Sequence, residues 1–160
     1  MAPSGHPLPS RHAVSPGLDG PVRPDNNERH SVTTSIATAR VLIIDDDASV
    51  ADTFSRMLRL EGYEVWSAVS ARDGLSLAQA HNPHAVILDL RMPVTSGLQF
   101  LRSLRQIPAL VKTPVAIVTG DYYLEEAQAA EIRGLGAELR FKPLWLDELV
   151  RLARELLAPS

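Results

Sequence analysis

Two rhythms alternate along residues 39–158: short, almost continuous apolar runs, and longer stretches in which apolar residues recur at helical spacing. The run from Ala39 to Asp46 is nearly unbroken, as expected of a strand buried on both faces of a sheet. Val50, Phe54, Met57 and Leu58 then follow a helical period until Gly62 stops it. Tyr63 to Val69, rich in aromatic and β-branched residues, predicts a second strand. Ser70 stands where it can cap a helix running through His81. Ala85 to Leu90 predicts a third strand, followed by a helix capped by Ser96 with Leu98, Leu101, Leu104 and Ile107 on one face. Pro114 to Thr119 predicts a fourth strand. A thinner stripe of Leu124, Ala127 and Ala130 predicts a weak helix over about Tyr123–Leu135, ended by Gly134 and Gly136. Glu138 to Lys142 completes the strands, and Leu146, Leu149, Val150, Ala153, Leu156 and Leu157 form the clearest helical face of all.

Five strands alternating with five helices predict an α/β protein, a doubly wound (βα)5 three-layer sandwich around a parallel sheet, because right-handed crossovers place helices on both sheet faces. Residues 1–38 stand apart. They hold six of the twelve prolines and no aromatic residue, and Arg11, Arg23 and Arg29 alternate with Asp19, Asp25 and Glu28. So few apolar side chains cannot offset the entropy of ordering, so a disordered proline-rich tail is expected at 1–38 and the folded domain at 39–158.

Composition narrows the function classes. A net charge of -3 supplies no basic field for generic nucleic-acid binding. The absence of cysteine excludes disulfides and thiolate metal sites and fits a reducing compartment. No apolar run approaches the ~18 residues of a membrane span, and the start lacks the pattern of a secretory signal. A soluble, cytoplasmic protein is expected, without membrane contact.

The chemistry sits at the ends of the apolar runs: Ile43-Ile44-Asp45-Asp46, Val86-Ile87-Leu88-Asp89, Ile117-Val118-Thr119 and Phe141-Lys142-Pro143. In an open parallel sheet such ends converge on one edge, where ligands bind. Three carboxylates, a hydroxyl and an amine together are the equipment for holding a metal ion beside a phosphoryl group. Taken singly, each has an ordinary explanation: Asp45 or Asp46 as a helix cap (a task Asp47 is better placed for), Thr119 as a turn residue, Lys142 as a solvated lysine. Turn chemistry gives no reason for four strand ends to carry this set jointly.

Asp89-Leu90-Arg91-Met92-Pro93, with Gly97 after it, resembles the phosphoacceptor stretch of bacterial two-component response-regulator receiver domains, in particular single-domain, chemotaxis-type receivers. Asp45-Asp46, Thr119 and Lys142-Pro143 resemble the family's other site positions in the right order, and the resemblance covers about Ala39–Ala158. It implies a flavodoxin-like sheet of order 2-1-3-4-5, with the first and third strands ~4.8 Å apart. Carboxylates ~4 Å apart repel by about 4 kcal/mol at an effective dielectric of 20. A hard cation relieves that repulsion, and an all-oxygen site suits Mg2+. Asp46 is read as the direct metal ligand, Asp45 as a ligand through water, and Asp89 as ligand and phosphoacceptor. The resemblance adds the main-chain carbonyl of Arg91 to the metal shell and a cis Lys142-Pro143 bond. Thr119 and Lys142 would neutralise the phosphoryl oxygens, since positioning and electrostatics dominate such transfers.

The family also implies the partners: a sensor histidine kinase or histidine phosphotransfer protein as donor, and a downstream protein on the face made by the fourth helix, fifth strand and fifth helix. The expected product is a phosphorylation-dependent switch in a phosphorelay, not an enzyme beyond its own phosphorylation and dephosphorylation, acting in trans with no nucleic-acid contact in cis. One position departs from the family. Leu139 stands three residues before the lysine, where receivers usually carry Tyr or Phe, and neither Phe141 nor Trp145 is expected to replace it. Tyr122, Tyr123, Glu125 and Glu126 read as a solvated helix start, and His81 and His84 as residues of a helix end. A haloacid-dehalogenase-type phosphohydrolase is disfavoured, because Arg91 occupies the position of its general acid. A nucleotide-binding domain is disfavoured because Asp45-Asp46-Asp47 would repel phosphate. A degenerate receiver used only for protein contacts keeps some weight from Leu139.

Overall fold

The computed structural model describes Gly5 and residues 38–159; the tail expected at 1–38 lies almost wholly outside them. The five predicted strands form at β1 (Arg40–Ile44), β2 (Glu64–Ala68), β3 (Ala85–Asp89), β4 (Val115–Thr119) and β5 (Ala137–Phe141). Five α-helices alternate with them: α1 (Ala48–Leu60), α2 (Ala71–His81), α3 (Gly97–Arg105), α4 (Glu126–Gly134) and α5 (Leu146–Leu157), with one 3-10 turn at Pro108–Leu110. All strand pairs are parallel and the sheet order is β2-β1-β3-β4-β5, the flavodoxin-like arrangement.

Strand parity divides the core into two layers. Leu42, Ile44, Val86, Leu88, Val115 and Ile117 face α2, α3 and α4, where Phe100, Leu101, Leu104 and Ile132 meet them. Val41, Ile43, Ala85, Ile87, Ala116 and Val118 face α1 and α5, against Phe54, Leu58, Leu149, Leu152 and Leu156. Every residue of β3 and β4 is buried, which is why these segments read as unbroken apolar runs.

Local signals set most helix ends. Asp47 caps α1 by accepting from the Ser49 and Val50 N–H groups. Ser70 accepts from the Asp73 N–H, and Ser96 and Gln99 form a reciprocal capping box. At the far end of α1 the N–H groups of Gly62 and Tyr63 return to the carbonyls of Arg59 and Leu58. That closure needs Gly62 at φ +95.

The expected helix after β4 is corrected. It begins at Glu126, three residues later than read, and its buried residues are Ala129 and Ile132. Ala127 and Ala130 are exposed, and Leu124 precedes the helix. The loop 120–125 takes up the residues that the thin apolar stripe assigned to helix, so the buried face is rotated. A fork from Arg102 to Glu131, with Nη2–Oε2 at 2.8 Å, also ties α4 to α3. Two smaller differences occur: Ile107 lies beyond the end of α3, and Leu146 is exposed while Leu152 is buried. No helix among the described residues is long and apolar enough to cross a membrane.

Candidate functional site

Strand register aligns the polar ends. Ile44 is level with Leu88, Asp89 with Val118 and Thr119 with Phe141. Asp45, Asp89, Thr119 and Lys142 therefore leave the sheet side by side at its carboxyl edge, although up to 97 residues separate them in sequence. Oxygens of Asp45, Asp46 and Asp89 lie within 4.8 Å of one another. Asp45 and Asp89 are buried, Thr119 is fully buried, and Asp46 is exposed.

Asp45 has both oxygens engaged: Oδ1 accepts from the Asp47 N–H at 2.9 Å and Oδ2 from Lys142 Nζ at 3.0 Å. The same Nζ lies 3.5 Å from Asp89 Oδ1. One ammonium thus serves two buried carboxylates, with a third at the rim. Burial is the largest influence on Asp89 and raises it; Lys142 pulls it back, Asp45 and Asp46 push it up again, and its carboxyl comes to about 6. Burial pushes the Lys142 ammonium down, but its contacts with Asp45 and Asp89 outweigh this and hold it above its ordinary value.

Three carboxylates against one ammonium leave the cluster with excess negative charge at neutral pH. The donor set is all oxygen, partly buried and open on the Asp46 side, which fits a hard divalent cation better than a soft one.

The loop after β3 turns tightly so that α3 can start against the backbone at the end of β3. A Cβ on Gly97 would sit 2.4 Å from the Asp89 carbonyl oxygen and 2.9 Å from Leu90 Cα, so only glycine fits there. Val94, fully exposed, takes φ +69 in the same loop. Arg91 extends from this loop to Asp121 in the loop after β4, and the two form an ion pair. The bond from Arg91 and one from the Tyr123 N–H hold the Asp121 carboxyl below the usual range. The Asp121 N–H in turn donates to Thr119 Oγ1 at 3.0 Å. Thr119 therefore accepts from the backbone and keeps its own O–H to donate.

The Lys142-Pro143 bond is cis. Tyr122, read from sequence as part of a solvated helix start, instead donates its hydroxyl to the Lys142 carbonyl and stacks on Phe141. Phe141 lies two residues from Leu139 and so shares its side of the strand, and its ring is the one on which Tyr122 stacks. Nothing in the local sequence joins Tyr122 to Phe141, since only the pairing of β4 with β5 makes them neighbours. Trp145 is exposed. His81 stacks on Trp66, and His84 Nδ1 accepts from the Arg40 N–H at 2.9 Å; both lie at the end of α2 and the start of β3.

A profile of the response regulator receiver domain matches residues 41–154. The transcriptional regulatory protein PrrA of Mycobacterium tuberculosis is 35% identical over 124 residues, 78% of this chain and 52% of that protein. The cell cycle response regulator CtrA of Brucella ovis is 34% identical over 114 residues, 69% of this chain and 47% of its own length. The chain thus spans about half the length of these curated relatives. Among solved structures, the chemotaxis protein CheY4 of Vibrio cholerae superposes with a TM-score of 0.70 at 30% identity, covering 76% of this chain and all of that one. With the sheet order, the acidic cluster and the lysine beside it already in place, these matches show that the chain belongs to the response regulator receiver domain family of two-component signalling systems.

Proposed function

We propose that Asp89 accepts a phosphoryl group and that the resulting charge changes a protein-interaction surface, making the chain a phosphorylation-dependent switch. The observation that carries this is Lys142 Nζ lying 3.0 Å from Asp45 and 3.5 Å from Asp89 in a cluster of three carboxylates. Asp46 would hold Mg2+ directly, Asp45 through water, Asp89 through one oxygen, and Arg91 through its main-chain carbonyl. When bound, the cation supplies charge neutralisation for carboxylate and phosphoryl oxygens alike.

The chain's own residues account for the rest. A carboxylate oxygen of Asp89 forms a bond to phosphorus as the bond to the donor's leaving atom breaks, giving an acyl phosphate. Lys142 releases Asp89 and neutralises one equatorial oxygen while keeping Asp45. The Thr119 hydroxyl donates to another. The donor is a sensor histidine kinase or a histidine phosphotransfer protein, and water takes the group away. The surface read downstream is α4, β5 and α5, where the thin apolar contact of α4 makes displacement inexpensive. A receiver spanning 39–158 in the cytoplasm, with no nucleic-acid contact through this domain, completes the reading.

Incubation with Mg2+ and acetyl phosphate, followed by intact mass measurement, tests it. Wild type is expected to gain one phosphoryl group and Asp89→Asn none. Gain by both would place the acceptor on another residue.

A further inference from the structure

We propose that Tyr122 is a positioning residue for Lys142 and the surface reporter of the Asp89 site, a role that rests on the phosphoacceptor function proposed above. The end of β4 and the loop after it together hold the backbone of Lys142. The Lys142 N–H donates to the Thr119 carbonyl at 2.8 Å, and the Lys142 carbonyl accepts from the Tyr122 hydroxyl. The Nζ of the residue so held lies against Asp45 and Asp89.

The Tyr122 ring is fixed as well. It stacks on Phe141 with centroids 5.5 Å apart and planes 14° from parallel, a favourable separation for an aromatic pair. Tyr122 is nevertheless 64% exposed. A side chain both pinned and exposed is suited to showing a partner what happens beneath it.

Thr119 is the link to the chemistry. Its hydroxyl oxygen accepts from the Asp121 N–H, one residue before Tyr122. Movement of Thr119 toward a phosphoryl oxygen draws Asp121 and Tyr122 along, shifting the ring over Phe141 and the hydroxyl over the Lys142 carbonyl. Leu139, by contrast, is partly buried against the core and has no polar handle. The aromatic group whose surroundings respond is therefore on the loop after β4 and not at position 139.

The test uses the full chain with Tyr122→Phe, which keeps the ring, and Tyr122→Ala, which removes ring and hydroxyl. The initial rate of phosphorylation by acetyl phosphate is followed by intact mass across a Mg2+ titration, with near-ultraviolet circular dichroism before and after. Tyr122→Phe is expected to lower the rate at saturating Mg2+ by roughly three- to tenfold, the scale of one net hydrogen bond. The Mg2+ concentration at half-maximal rate stays as in wild type, because the carboxylates are untouched; a general loosening of the fold would shift both. Tyr122→Ala loses at least as much rate and also the near-ultraviolet change that phosphorylation produces in wild type. Wild-type rates in both variants overturn the proposal, as does a near-ultraviolet signal that stays still in wild type or moves equally in Tyr122→Ala. A wild type that gains no phosphoryl group removes the phosphoacceptor reading and this one with it. Phosphorylation of Asp89 at equal rates in all three proteins removes only the role of Tyr122.

Discussion

Arg91 and Asp121, thirty residues apart in the chain, pair across the mouth of the carboxylate site and join the two loops that flank Asp89. The pair is solvent-exposed on the arginine side, so it adds little to folding. With Asp89 as the proposed phosphoacceptor, its effect is expected on access to the acyl phosphate. Arg91→Ala is expected to shorten the acyl-phosphate lifetime by roughly two- to fivefold, the scale of one exposed ion pair, with Mg2+ affinity unchanged. Mass decay after removal of the phosphodonor measures it. Equal lifetimes for variant and wild type would end the idea.

The raised carboxyl of Asp89 predicts a pH dependence in metal-free protein. Its folded value of about 6 lies above the ordinary 3.8, so the folded state binds the proton more tightly than the unfolded state. The stability this contributes is full below about 3.8 and is lost as pH rises through about 6. At neutral pH the ionised side chain therefore opposes folding. Asp89→Asn should raise stability by about 1–2 kcal/mol above pH 6, discounted from the full shift because the site opens to water, and by little near pH 4. Urea titrations at the two pH values separate these outcomes. In wild type, Mg2+ binding should weaken as pH falls below 6, because protons compete for Asp89.

Strands and site carboxylates were legible in the sequence for one physical reason. A parallel strand buried on both faces has no polar position to spare, so Asp45, Asp89 and Thr119 stand out where their strands end, and register makes them neighbours. The contacts of loop 120–125 were not legible. Asp121 is engaged by a residue thirty positions earlier and Tyr122 by one twenty positions later, and neither spacing has a local period. The same loop displaced the start of α4 and rotated its buried face from Ala127 and Ala130 to Ala129. An alanine stripe this thin holds too little apolar area to fix the phase of a helix.

Val94 predicts a stabilising substitution. A β-branched residue at φ +69 pays about 1–2 kcal/mol in the left-handed region, and its side chain is fully exposed, so no packing offsets the strain. Val94→Gly removes it at the cost of a more flexible unfolded chain, for a net gain of about 0.5–1 kcal/mol. The shift in urea midpoint at unchanged slope reads the gain directly. A loss of stability would mean that the valine side chain makes a contact worth more than the strain.

Gly97 and Gly134 predict opposite signs for the same substitution. The Cβ of Gly97→Ala would fall 2.4 Å from the Asp89 carbonyl oxygen and 2.9 Å from Leu90 Cα. Both are backbone atoms, and the first belongs to the residue proposed to carry phosphorus. Relief requires α3 to retreat or the end of β3 to bend, at about 3 kcal/mol or more, as for other overpacked positions. The fraction that still folds should also phosphorylate more slowly, because Asp89 moves relative to Lys142. Gly134 lies in the last turn of α4, where an added Cβ would meet nothing within 4 Å. Gly134→Ala should therefore stabilise by about 0.5–1 kcal/mol through helix propensity and a stiffer unfolded chain, leaving phosphorylation alone. Thermal melts and acetyl phosphate assays on the two variants check the pair. A Gly97→Ala variant as stable as wild type would show that α3 does not rest on the backbone of Asp89 as closely as this distance requires.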